Sequence, residues 1–174
     1  MRSLADKQTI EEFMRIFGRS GRTESRVFFT GGATAVLLGW RDSTVDVDIS
    51  FIPETDELFR AIPAIKEALM LNVELASPPD FIPIVPGWET RSQYIDREGT
   101  VSFYHYDIYS QALSKLERAH AQDLDDVRSM IELGLIEREK LSDLFSQIEP
   151  QLHRYPAINT ATFARSVHKI VVET

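Results

Sequence analysis

Phe28-Phe29-Thr30-Gly31-Gly32-Ala33-Thr34-Ala35-Val36-Leu37-Leu38-Gly39 leads into Arg41-Asp42-Ser43-Thr44-Val45-Asp46-Val47-Asp48-Ile49, and the reading of this stretch decides the fold. An apolar run ending in a Gly pair reads as a strand that turns into a short helix, and the second apolar run reads as another strand. Side chains two apart in a strand share a face. Asp46 and Asp48 are therefore expected to project together, with Val45, Val47 and Ile49 in the core. Two parallel carboxylates repel each other unless a positive charge lies between them. The economical candidate is Mg²⁺, which is typically held by one or two carboxylates plus substrate phosphates. A Gly pair opening a helix lets an anion come close to backbone N–H groups at the positive end of the helix dipole. Phosphate held by the first element would then face a cation held by the second.

The size and balance of the chain limit what can surround this stretch. At 174 residues it is one domain, or one domain with a helical appendage. Hydrophobic residues make up 43% and charged residues 26%, the composition of a globular chain able to build a core unaided. The absence of cysteine excludes disulfides and thiolate metal sites. The four histidines show no ligand spacing, so a zinc site is not expected. The start of the chain lacks an apolar leader and no apolar run reaches membrane length, which gives the expectation of a cytoplasmic protein with no membrane partner. A net charge of −8 argues against generic DNA binding. Arg15, Arg19, Arg22 and Arg26 form a local basic concentration, read as a solvated helix end and loop, with a phosphate or RNA contact as the alternative.

Taken in order, Thr9-Ile10-Glu11-Glu12 has the form of a capping box, and apolar spacing predicts a first helix over about 6–17, stopped by Gly18. Strands are expected at about 26–30 and 44–51, separated by a helix over about 33–38. A further helix begins near Pro53–Glu57, with Pro63 as an irregularity, and Asn72–Leu75 reads as a short strand. The Pro-rich stretch through Trp88 reads as a loop, and residues 93–106 as a hairpin. From Ile108 the pattern is helical, with one helix expected to stop at Pro150. The fold class is thus α/β (α+β), a small mixed sheet with flanking helices over residues 1–109. A C-terminal helical segment over 110–174 is expected to pack on that core.

The turn Gly31-Gly32, the short apolar helix, and then Arg41, Thr44 and Asp46-Val47-Asp48 resemble the DNA polymerase β-like nucleotidyltransferase superfamily. The likeness is to small bacterial members related to abortive-infection and toxin–antitoxin nucleotidyltransferases. A second block agrees with that subgroup: Lys115-Leu116-Glu117-Arg118, then Asp123-Leu124-Asp125-Asp126-Val127. The resemblance spans about residues 27–130. It implies transfer of a nucleotidyl group from an NTP to a hydroxyl acceptor (RNA or tRNA, protein or small molecule), with two Mg²⁺ ions held by three carboxylates. Asp46 and Asp48 map onto two of these. Glu74, on the strand after the intervening helix, is the favoured third, although the family commonly has Asp there, and Asp107 is the competitor. By the same analogy Gly31, Gly32 and Arg41 serve phosphate, Thr44 fixes the turn, and Lys115 contacts the NTP phosphates. Asp123 and Asp126 would orient Lys115 or Arg118. A cognate partner protein is the further implication, and a catalytically weak or inactive binding module on the same fold is the alternative.

Overall fold

The computed structural model describes residues 2–174. In chain order its elements are β1 (Ala5–Asp6), α1 (Lys7–Ser20), β2 (Ser25–Thr30), α2 (Gly31–Leu38), β3 (Ser43–Thr44), β4 (Asp46–Ile52), α3 (Asp56–Ala68) and β5 (Asn72–Leu75). There follow α4 (Trp88–Arg91), β6 (Gln93–Glu98), β7 (Val101–His105), α5 (Ile108–Arg118), α6 (Ala121–Glu132), α7 (Arg138–Ile148) and α8 (Thr160–Val172). The chain divides into two compact units. Among the described residues a sheet unit holds 2–77 and 93–106, and a helical unit holds 78–92 and 107–174.

The sheet unit is a mixed five-stranded sheet in the order β5-β4-β2-β7-β6, with a two-stranded β1-β3 ladder beside it. One face carries the alternate apolar residues Val27 and Phe29 of β2, Val47, Ile49 and Phe51 of β4, and Val101 and Phe103 of β7. Ile10, Phe13, Met14 and Phe17 of α1, Ala33 and Val36 of α2, and Leu58 and Ile65 of α3 close over that face. Phe13 stacks on Phe17 at 5.2 Å and meets Phe29 edge-on at 5.9 Å, so the aromatic residues lock the first helix onto the central strand.

Three local expectations change. Asp6, not Thr9, caps α1: its Oδ1 accepts from the Thr9 N–H at 2.9 Å and from the Thr9 hydroxyl at 2.6 Å. Glu12 instead pairs with Arg15 one turn on. Gly18 does not stop the helix; it is buried inside it, because a Cβ there would lie 2.3 Å from the Glu98 Cβ and 2.7 Å from the Glu98 carbonyl oxygen. Val45 is 60% exposed rather than in the core, since it falls between β3 and β4 before the alternation begins. The third C-terminal α-helix does stop before Pro150, at Ile148. Residues 149–154 continue as a 3₁₀ turn with Pro150 near its start, where a missing N–H costs nothing.

Within the helical unit α5 packs against α6, α7 and α8, and α7 packs against α8. Phe145 and Phe163 meet edge-on at 4.9 Å between the last two. The Pro-rich stretch contributes a 3₁₀ turn and α4, both against α5. Among the described residues no helix is long and apolar enough to cross a membrane.

Candidate active site

Alternation along β4 sends Val47 and Ile49 into the core and leaves Asp46 and Asp48, both half-buried, on the opposite face. Register adds their neighbours. Parallel pairing with β5 sets Asn72 beside Asp46 and Glu74 beside Asp48, and antiparallel pairing with β2 sets Thr30 beside Asp48. Paired residues share a face, so the three carboxylates stand together on the side of the sheet away from α1–α3.

Asn72, to which the sequence reading gave no role, lies among them. Its amide Nδ2 donates to Asp46 Oδ1 and, at 2.8 Å, to Glu74 Oε1. The Arg2 guanidinium donates to Asn72 Oδ1, which fixes the amide with its N–H groups toward the acids. The available signal was its position two residues before Glu74, hence on the same face.

The two glycines of the turn do different work. Gly31 has φ +61°, the left-handed region that favours glycine, and a Cβ there would come within 3.0 Å of Asp48 Oδ2. It brings the N-terminus of α2 against the Asp48 carboxylate. Gly32 makes room for Thr44, whose Oγ1 would lie 1.9 Å from a Cβ at this position. Thr44 is buried and donates to the Asp46 carbonyl at 3.0 Å, holding the entry to β4 beside the start of α2. Arg41 is half-buried in the loop between α2 and β3.

Beneath α2, Thr34 Oγ1 donates to the Phe29 carbonyl at 3.3 Å and lies 3.0 Å from His105 Nδ1. The Thr34 hydroxyl thus joins the end of β2 to the His105 ring. Burial pushes the His105 pKa down to about 4.

The remaining candidates belong to the helical unit. Asp107 caps α5, accepting from the N–H groups of Tyr109 and Ser110 and from the Ser110 hydroxyl. Arg91 adds two bonds at 3.0 and 2.7 Å. A carboxylate offers about four lone-pair sites, so five donors leave Asp107 saturated. Lys115 is buried, with Nζ 2.7 Å from Asp126 and 3.8 Å from Asp123. Arg118 also grips Asp123. Burial pushes the Asp123 carboxyl up, but the Arg118 bond and the Lys115 charge more than reverse it, leaving it below the usual carboxylate range. Lys115 is thus an internal ion pair of its unit.

Oxygen donors on Asp46, Asp48 and Glu74 suit a hard cation. Among the described residues no three His, Cys, Asp or Glu side chains are grouped as a metal cage. Mg²⁺ needs none, since one or two carboxylates, water and substrate phosphates complete its shell. The donor chemistry fits.

Over residues 7–169 the sequence matches the family described as "Nucleotidyltransferase of unknown function (DUF6036)". The chain belongs to that family. The matched span takes in the Gly31-Gly32 turn, the Asp46/Asp48 strand, Glu74 and the Lys115–Asp126 cluster, so both units are parts of one family pattern. No curated protein and no solved structure matches the chain.

Proposed function

We propose that this protein transfers a nucleotidyl group from an NTP to a hydroxyl acceptor, using Mg²⁺ held by Asp46 and Asp48 with Glu74 as the third acid. The reading is supported above all by one observation: Gly31, left-handed and 3.0 Å from Asp48 by its Cβ position, sets a helix N-terminus against an acid pair on one sheet face. The saturation of Asp107 favours Glu74 for the third place.

Bound Mg²⁺ would supply charge stabilisation to the transferring phosphoryl group. The chain's own residues do the rest. The positive end of α2 lies against the Asp48 carboxylate and favours the anionic triphosphate beside it. In the transfer the acceptor oxygen bonds to the α-phosphorus, the bond from that phosphorus to the bridging oxygen breaks, and pyrophosphate departs. Glu74, exposed on the edge strand, takes the proton released by the acceptor. Thr44 and Asn72 position Asp46, the first through its backbone carbonyl and the second through its carboxylate.

The test is transfer of labelled NMP, with and without Mg²⁺, to pooled acceptors (total RNA, the protein itself, small alcohols). Asp46→Asn and Asp48→Asn should each cut the rate by at least about 100-fold, the scale of losing one electrostatic stabiliser of the transition state. Equal rates in wild type and variants would remove the catalytic claim. A non-catalytic binding module has one observation in its favour, the Asn72 amide that joins Asp46 to Glu74 directly. It predicts Mg²⁺-independent NTP binding and no transfer.

A further inference from the structure

The acid-bearing face of the sheet continues past the carboxylates. Thr30 lies beside Asp48, and one row along the sheet Phe28 pairs with Tyr104, which pairs with Tyr94 on the edge strand β6. Tyr104 stacks on Phe28 at 5.5 Å, and Tyr94 meets Tyr104 edge-on at 5.7 Å. Phe28 is buried, Tyr104 half-buried, and Tyr94 59% exposed. One row further, Arg26 and Arg97 both pair with Ser102 on the same face. The Arg26 guanidinium lies 5.6 Å from the Phe28 ring centre. Arg97 bonds the exposed Glu24, a pair that solvent weakens and phosphate can replace.

We propose that Tyr94 and Tyr104 form a stacking platform for a single-stranded oligonucleotide, which serves as the acceptor and presents its terminal hydroxyl at Asp46 and Asp48. The inference rests on the transfer reading above and specifies its substrate class. Strands are spaced about 4.8 Å apart and residues about 3.4 Å along a strand, so Tyr104 stands roughly 12 Å and Tyr94 roughly 16 Å from Asp48. Order along the face separates the oligonucleotide from the donor NTP. The arginines lie beyond the rings, on the side away from the acids. A mononucleotide with its triphosphate at the acids has no phosphate there, whereas an oligonucleotide backbone does. Stacking tolerates any base, and two arginines give a salt-dependent, modest electrostatic contribution. This confines nucleic-acid binding to one strip of a chain whose net charge is −8.

The experiment is fluorescence anisotropy of the full-length protein with a labelled eight-nucleotide single-stranded RNA at low salt, with the same sequence in DNA and ATP as competitors. Tyr94→Ala should weaken RNA binding at least about fivefold, the low end for one lost stacking partner. Tyr94→Phe keeps the ring and should bind as wild type does, while Asp46→Asn should retain binding and lose transfer. DNA competing as well as RNA identifies the shared base-and-backbone chemistry; RNA alone competing identifies the 2′-hydroxyl as a contact, and either result supports the platform. Absence of RNA binding, equal binding by Tyr94→Ala, or a Tyr94-dependent affinity for ATP alone overturns it. Transfer to protein or small alcohols without RNA binding would overturn the platform and leave the activity standing. Tyr94-dependent RNA binding without transfer would leave the platform standing and overturn both the acceptor role and the activity.

Discussion

His105 shows how a single buried side chain controls the site from below. Its ring shares a hydrogen bond with Thr34, whose hydroxyl also reaches the Phe29 carbonyl at the end of β2, so together they tie the first turn of α2 to the sheet. Its folded pKa of about 4 lies below the ordinary imidazole value of 6.5. Between those values the unfolded chain binds more protons than the folded one, so stability rises with pH. The contribution is fully present above about pH 6.5 and is lost as pH falls toward 4, amounting to roughly 3 kcal/mol across the window. The melting temperature of wild type should therefore fall more steeply from pH 7 to pH 4 than that of His105→Gln, which cannot titrate. Parallel curves for the two proteins would remove His105 as the source.

At the scale of elements, Gly18 separates propensity from packing. Replacing an interior helical glycine with alanine normally gains up to about 1 kcal/mol. Here the new methyl meets the backbone of Glu98, which cannot rotate away, and such overpacking costs about 1–3 kcal/mol. The cost outweighs the gain, so Gly18→Ala should lower the melting temperature by a few degrees and loosen the β6–β7 hairpin, as thermal unfolding and amide exchange would report. The same position explains what could be read in advance. Strands β2 and β4, helix α2 and the acid pair were legible, because alternation, the Gly pair and Asp-x-Asp are local patterns. The roles of Gly18 and Gly32 were not, because each answers to a side chain or backbone far along the chain, Glu98 and Thr44 respectively. Asp6 was missed as a cap because Thr9 and Glu12 offered an equally valid local signature, and only the Asp6–Thr9 bonds decide between them. Asn72 was invisible for a related reason: an asparagine on a short strand has no meaning until register places it between two acids.

The division of the whole molecule is less sequential than its pattern of elements. A change from mixed to all-helical pattern near Tyr109 suggests one cut, yet the chain passes between units at 77/78, 92/93 and 106/107. Residues 78–92 bury Ile82 and Val85, and Arg91 binds the Asp107 carboxylate, so this segment belongs with helices that come later in the sequence. A fragment ending at Tyr109 keeps residues 78–92 but lacks nearly all of α5, against which its 3₁₀ turn and α4 pack. It should bind a hydrophobic dye and melt without a sharp transition. Replacing residues 78–92 in that fragment by a Gly/Ser linker of the same length, and ending the chain at Tyr106, removes the stranded apolar segment while retaining every strand of the sheet. The core under α1–α3 is built entirely from residues of the sheet unit. The linker version should therefore regain a cooperative melt by circular dichroism. If both fragments bind dye and melt broadly, the sheet unit does not fold without the helical one, and the two compact units are a single cooperative structure.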